Sequence, residues 1–249
     1  MAVRKNNTYK YEKGKEFRVS RSGIDSFIKC KRCFYINKVL NIKDIGGPGF
    51  SLNSAVDELL KKEFDHFRLL QEAHPIMHKI DRNLVPFEHE NLDLWRNNFK
   101  GVSFHHLETN LIISGAVDDI WFDLDTNELL VVEYKSTSTS SEISLHDGTA
   151  WKEAYKRQID IYQWLLRKNG FNVSNDSYFV YANGLKTPDA FNNNLQFETL
   201  LLDYQGSDEW VESVIIEMKS VLDLDTIPEH NENCETCSYV QSVMEEQKL

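Results

Sequence analysis

Apolar residues along this chain change their spacing near residue 101, and the change separates helical from extended stretches. From Ser22 onward, Ile24, Phe27, Ile28 and Phe34 recur at helical spacing, with Asp25 three residues after Ser22 as a capping partner. Gly46-Gly47-Pro48-Gly49 breaks that pattern. A second helix is expected behind it, with Ala55, Leu59 and Leu60 on its apolar side and Phe64 one turn later. Residues 73–100 read as helical only in part. Beyond 101 the period shortens. Residues 102–107 and 111–124 have strand composition, Asp125-Thr126-Asn127 reads as a hairpin turn, and Leu129–Lys135 is an apolar strand that ends in charge. After a polar loop at 138–148, Trp151–Arg167 predicts a strong helix through Tyr155, Ile159, Tyr162 and Leu166. Two further strands are expected at 177–182 and 195–204, and a helix at 208–222. This order predicts an α/β fold, a sheet with helices on its faces.

No internal repeat, low-complexity tract or Pro/Gly/Ser linker divides the 249 residues. The expectation is a single domain over 20–243, a flexible basic arm at 1–19 and a tail at 244–249. The composition, 41% hydrophobic and 27% charged, is that of an ordinary globular protein. No apolar run approaches the roughly 18 residues that span a bilayer, so no membrane partner is expected. The start, Met1–Lys15, lacks the apolar core of a secretory signal, and a cytoplasmic location is expected.

Charge refines the picture. The net value of −11 argues against a polyanionic partner, but its distribution does not. Residues 1–50 carry 12 Lys and Arg against four acids, while the rest of the chain has a balance of −19. A polyanion could use the basic end; the alternative is a solvated face. The four cysteines form two C-x-x-C pairs, Cys30/Cys33 and Cys234/Cys237. In an intracellular chain such pairs point to metal or buried thiols before disulfides, and four thiolates suit either Zn²⁺ or an iron–sulfur cluster. The alternative for Cys30 is simple packing beside Phe27 and Phe34.

The chemistry concentrates on the hairpin. Side chains of a strand alternate faces, so Glu133 and Lys135 share one face and Tyr134 takes the other. A turn at Asp125–Asn127 brings Asp118 opposite them. Two neighbouring carboxylates repel unless they share a cation or a proton. Mg²⁺ or Mn²⁺ would suit these oxygens, with the Tyr134 backbone carbonyl as a further ligand. Lys135 could then orient or deprotonate an attacking water. The competing reading makes Asp118, Asp119 and Asp123 ordinary polar strand residues. On the following helix Gln158 and Tyr162, four apart, share a face and could reach towards the hairpin site or bound nucleic acid; the competing reading is an ordinary amphipathic helix.

Taken in order, Gly115-x-x-Asp118, Glu133-x-Lys135 and Gln158-x-x-x-Tyr162 resemble the RecB-like branch of the PD-(D/E)XK nucleases. With Ser20-x-Ser22, Cys30, Phe34 and the distal cysteines, the chain is similar to the CRISPR-associated four-cysteine exonucleases of that branch. The resemblance covers most of residues 20–240. It implies a restriction-endonuclease-like mixed central sheet flanked by helices, with a helical N-terminal part. It implies Asp118 and Glu133 as metal ligands, Lys135 as catalytic, and Gln158 and Tyr162 on the helix that meets nucleic acid. The implied activity is Mg²⁺- or Mn²⁺-dependent hydrolysis of DNA, single-stranded or at duplex ends, in repair, recombination or defence. It leaves open a helicase or integrase partner. The alternative is a catalytically inactive nucleic-acid-binding module that keeps the fold.

Three positions depart from the family. Val117 replaces the usual proline. Asp57 stands where a metal-binding histidine is usual and could be a hard oxygen ligand or a solvated acid. Iron–sulfur members carry one N-terminal and three C-terminal cysteines, whereas this chain has two and two, with Val243 near the place of the last. The resemblance implies a [4Fe-4S] cluster on Cys30, Cys33, Cys234 and Cys237; Zn²⁺ is the other expectation.

Overall fold

The computed structural model describes residues 8–12, 14–43, 49 and 51–246. The glycine-rich break at 46–49 lies outside them apart from Gly49. Two compact units emerge, one from residues 1–47, 104–114 and 209–249, the other from 48–103 and 115–208. Among the described residues no helix is long and apolar enough to cross a membrane.

In the first unit β1 (Phe17–Ser20) runs parallel to β4 (Leu111–Gly115), pairing Phe17 with Leu111 and Ser20 with Ser114. β3 (Val102–His106) lies on the other edge of β4. α1 (Arg21–Lys29) leaves β1 directly, because the Ser20 hydroxyl accepts the Gly23 N–H at 3.3 Å and caps it. Asp25, expected as a capping partner, pairs instead with Lys29 at 2.8 Å. The expected long helix is two helices. Cys30 takes an extended backbone (φ −161°, ψ 108°) and its Sγ accepts the Cys33 N–H, which opens α2 (Lys31–Lys38). Both helices pack on α6 (Val211–Leu222), which buries Val211, Ile215, Met218 and Leu222. The last helix, α7 (Glu235–Glu246), has no counterpart in the sequence reading and runs into the expected tail. The arm expected at 1–19 likewise contains β1 and a buried Tyr9.

The second unit is a five-stranded mixed sheet in the order β2-β5-β6-β7-β8. Its strands are β2 (Leu84–Pro86), β5 (Asp119–Asp123), β6 (Glu128–Thr137), β7 (Asp176–Gly184) and β8 (Phe197–Gln205). Only β6 and β7 pair in parallel, and α5 (Ala150–Lys168) supplies the crossover that parallel neighbours need. The hairpin turn forms as its chemistry predicts: Asn127 takes φ 56°, and Asp123 Oδ1 accepts the N–H groups of Asp125 and Thr126.

Helices cover both faces of this sheet. α3 (Ser51–Leu70) lies over Leu130, Val132 and Tyr134, with the Phe64 ring stacked on Trp121. α5 lies over the opposite face, where Tyr155 meets Phe179. Phe64 sets the buried side of α3, so Leu59 turns outward at 63% exposure and Ala55 is exposed too, contrary to the expected stripe. Residues 73–100 hold a 3-10 turn (Pro75–Lys79), β2 and the one-turn α4 (Leu92–Trp95). Three residues are too few for β2 to show alternation.

Gly101, at φ 64°, lies so close to Gly115 that a Cβ would come 2.4 Å from its carbonyl oxygen. Gly101→Ala is expected to lower stability by about 2–4 kcal/mol, through left-handed strain and backbone collision together. Urea unfolding measures this, and a change below about 1 kcal/mol would contradict the argument.

Candidate active site

The expected strand over 111–124 is interrupted, and the interruption makes the site. β4 ends at Gly115 and β5 begins at Asp119, so Asp118 lies in the break rather than mid-strand. Val117 N–H donates to Trp95 O at 3.1 Å and holds the bend. Asp119 pairs with Val132, which sets Asp118 beside Glu133 as the hairpin register requires. Asp118 Oδ2 accepts the Tyr134 N–H at 3.1 Å.

Glu133 is buried and surrounded. Its Oε1 accepts from Gln158 Nε2 at 2.7 Å and from Lys135 Nζ. Its Oε2 is buried with no hydrogen-bond partner among the described residues. Burial, and then the neighbouring Asp118, push its carboxyl up to about 8, and Lys135 only partly opposes them. Lys135 Nζ stands 4.3 Å from the Tyr155 ring centre, a second contact that restrains it. Gln158 also donates to Tyr162 Oη at 2.9 Å. Both of these α5 side chains are buried, and Gln158 reaches the carboxylate. A cavity of about 260 Å³ opens over the group, lined by Asp57, Asp118, Glu133 and Lys135.

Lys61 was missed in the sequence, although it lies one helical turn from Asp57. Its ammonium meets Asp57 at 2.8 Å and Asp118 at 3.3 Å. Burial works against its charge, but Asp118 and Asp57 outweigh that, so its pKa rises. Burial and then Asp118 raise the pKa of Asp57. Asp57, Asp118 and Glu133 do not draw together as one ligand set. Among the described residues the four cysteines are the one such group with all donor atoms within 4.8 Å of one another.

Two further acids of the hairpin, Asp119 and Asp123, are structural. Asp119, fully buried, joins Arg68, Arg96 (2.7 Å) and the Tyr134 hydroxyl (2.6 Å) on the α3 face. Asp123 caps the turn and meets Arg82 at 2.8 Å. Near the basic end, Lys15, Lys29 and Lys31 pair with Glu12, Asp25 and Glu217, so part of that charge is spent on neighbours.

A divalent cation fits this group: two carboxylates crowd each other, and one buried oxygen lacks a partner. Glu133 also couples stability to pH. The folded protein keeps this proton up to about pH 8, whereas an ordinary glutamate loses it near 4.5. The stability that proton confers is whole below pH 4.5 and lost above 8. The Tm of metal-free protein is expected to fall by roughly 10 °C over that interval, and Glu133→Gln should flatten the fall. Thermal melts in EDTA decide it; an equal slope in the variant contradicts the assignment.

The model of the PD-(D/E)XK nuclease superfamily matches residues 18–242. The chain belongs to that superfamily. No protein of curated function matches it. Among solved structures, a phage-related exonuclease from Haemophilus somnus 129PT is 11% identical, with 92% of this chain and 97% of that one covered at a TM-score of 0.43. A Eubacterium rectale protein provisionally described as an exonuclease is 15% identical, with 88% and 86% covered at 0.40.

Proposed function

We propose that the chain is a divalent-metal-dependent DNA nuclease, acting from strand ends as its resemblance to the four-cysteine exonucleases implies. One observation carries the reading: Glu133, a buried carboxylate beside Asp118, has one oxygen without a partner and the other fixed by Lys135 and Gln158. Such a cluster is relieved by a proton or a cation, and a divalent ion would take the place of the proton that Glu133 otherwise keeps to about pH 8. Asp118 and Glu133, with the Tyr134 carbonyl, would hold Mg²⁺ or Mn²⁺; Asp57 would follow if Lys61 released it. The ion would supply Lewis-acid stabilisation of the charge on the scissile phosphate.

The chain's own residues do the rest. Lys135 orients the attacking water and offsets charge that develops in the transition state. Gln158 keeps the Glu133 carboxylate aimed, and Tyr162 backs Gln158; in this reading both are positioning residues. A second cavity of about 660 Å³ shares Asn53, Lys135 and Tyr155 and adds Trp151 and Tyr181. Half-exposed Trp151 offers a face on which an unpaired base could stack.

The Lys61 bridge between Asp57 and Asp118 favours a second reading, a nucleic-acid-binding module without turnover, because an ammonium already neutralises part of the site. End-labelled single- and double-stranded DNA and matched RNA, incubated with Mg²⁺, Mn²⁺ or EDTA, separate the readings. Metal-dependent DNA products that vanish with Glu133→Gln support the nuclease. Binding without products, unchanged by Glu133→Gln, selects the module. Preference for RNA removes the assignment to DNA.

A further inference from the structure

The two C-x-x-C pairs meet in the first unit as equivalent halves. Each opens a helix, Cys30 ahead of α2 and Cys234 ahead of α7. In the first pair the sulfur of Cys30 accepts the N–H of Cys33 at 3.4 Å. An N–H to sulfur bond favours the thiolate, but without an ion burial and the neighbouring sulfurs hold the Cys30 and Cys33 thiols up, while that of Cys234 is lowered. All four cysteines are free, and their sulfurs interleave. Cys30 meets Cys237 at 3.6 Å, and Cys33 meets Cys234 at 3.6 Å and Cys237 at 3.7 Å. All four lie within 4.8 Å of one another.

That spacing discriminates between cofactors. A tetrahedral ion bound at about 2.3 Å by four sulfurs sets them about 3.8 Å apart. In a four-iron cluster each thiolate binds its own iron at a different corner, so the sulfurs stand wider than around one ion by roughly 2 Å or more. The observed separations match the first arrangement and leave no room for the second. The cysteine count agrees: pairs of two and two form a closed four-sulfur shell without the third distal cysteine that the iron–sulfur members use.

We propose that Cys30, Cys33, Cys234 and Cys237 hold a single structural Zn²⁺ ion in place of the iron–sulfur cluster implied by the resemblance, and that this ion docks α7. Binding displaces the remaining thiol protons to solvent and changes no oxidation state. The docking role follows from the burial of α7. Of its twelve residues only Cys237 is buried, while Tyr239, Val240, Val243 and Met244 are exposed. A helix of that length is marginal alone in water, and here a single buried side chain ties it down. Asn231 Nδ2, which donates to Lys29 O at 3.2 Å, and Arg32 Nη1, which donates to Pro228 O at 2.8 Å, hold the approach to the pair but not the helix.

The test uses the full chain, produced in medium containing both metals and purified without oxygen. Elemental analysis and native mass spectrometry are expected to give one zinc per chain, with no visible absorbance. Four irons with a broad brown band, a single iron with a red one, or a metal-free chain each overturn the assignment. Hydrogen exchange then follows removal of the ion by a strong zinc chelator. Exchange over 235–246 should quicken at least tenfold while α6 keeps its protection. Unchanged exchange at α7 overturns the docking role even if zinc is present. Cys237→Ser should show the same loss of α7 protection, and the chelated parent provides that reading if the variant does not fold. None of these readouts depends on cleavage.

Discussion

Lys135→Ala is expected to retain the parent's fold and to lose cleavage by about a thousandfold, roughly 4 kcal/mol of transition-state stabilisation. The fold should survive because the partner left behind can neutralise itself. Glu133 already holds its proton up to about pH 8, and Lys135 is one of the groups that oppose this. Without the ammonium, Glu133 stays protonated at neutral pH, so no bare charge is buried. Activity should fall because the ammonium lines the cavity beside the carboxylate, restrained by Tyr155 where phosphate charge would develop. Single-turnover cleavage with Mg²⁺, beside a thermal melt, measures both. More than a tenth of the parent rate at an unchanged Tm would remove Lys135 from the catalytic group.

Asp119→Ala should do the opposite, costing about 3–5 kcal/mol of stability. The carboxylate is fully buried between Arg68 and Arg96, with the Tyr134 hydroxyl on its other oxygen. Its loss leaves two guanidiniums, each 9% exposed or less, sharing Asp65 as the remaining acid. Arg96 Nε already lacks a partner, so the network has no slack. A loss of this size is a large share of the total for most domains. Urea unfolding at neutral pH is the measurement, and a loss under 1 kcal/mol would show that the arginines find other partners. Asp119→Asn, which keeps the shape, should fall between the two.

The hairpin was legible because two independent signals agreed. The period of two fixed which residues share a face, and Asp125-Thr126-Asn127 fixed the turn, so the register of Asp118 against Glu133 followed. The helix carrying Gln158 was legible from its apolar period. What escaped the sequence depended on geometry between elements. Lys61 sits on an unremarkable helix face and matters only because α3 crosses near Asp118. The reach of Gln158 towards the hairpin was expected, but its contact with Glu133 in particular needs the crossover to place α5 over β6. The break at Cys30 left no mark, since Phe34 stays near helical phase on either side of it. α7 was missed although Tyr239, Val240, Val243 and Met244 recur at helical spacing; that stripe is short and faces solvent, with only Cys237 buried.

The alternation of β6 has a consequence for how this protein tolerates change. Neighbouring residues on the hairpin serve separate ends: Asp118, Glu133 and Lys135 gather at one cavity, while Asp119 and Tyr134 brace the sheet against α3. Drift along this segment is therefore sorted by parity. Substitution at 118, 133 or 135 should yield abundant, inert protein, while substitution at 119 or 134 should yield scarce protein whose surviving molecules still react. In a library scored for abundance and turnover together, the hairpin would appear as two interleaved traces, each silent where the other responds.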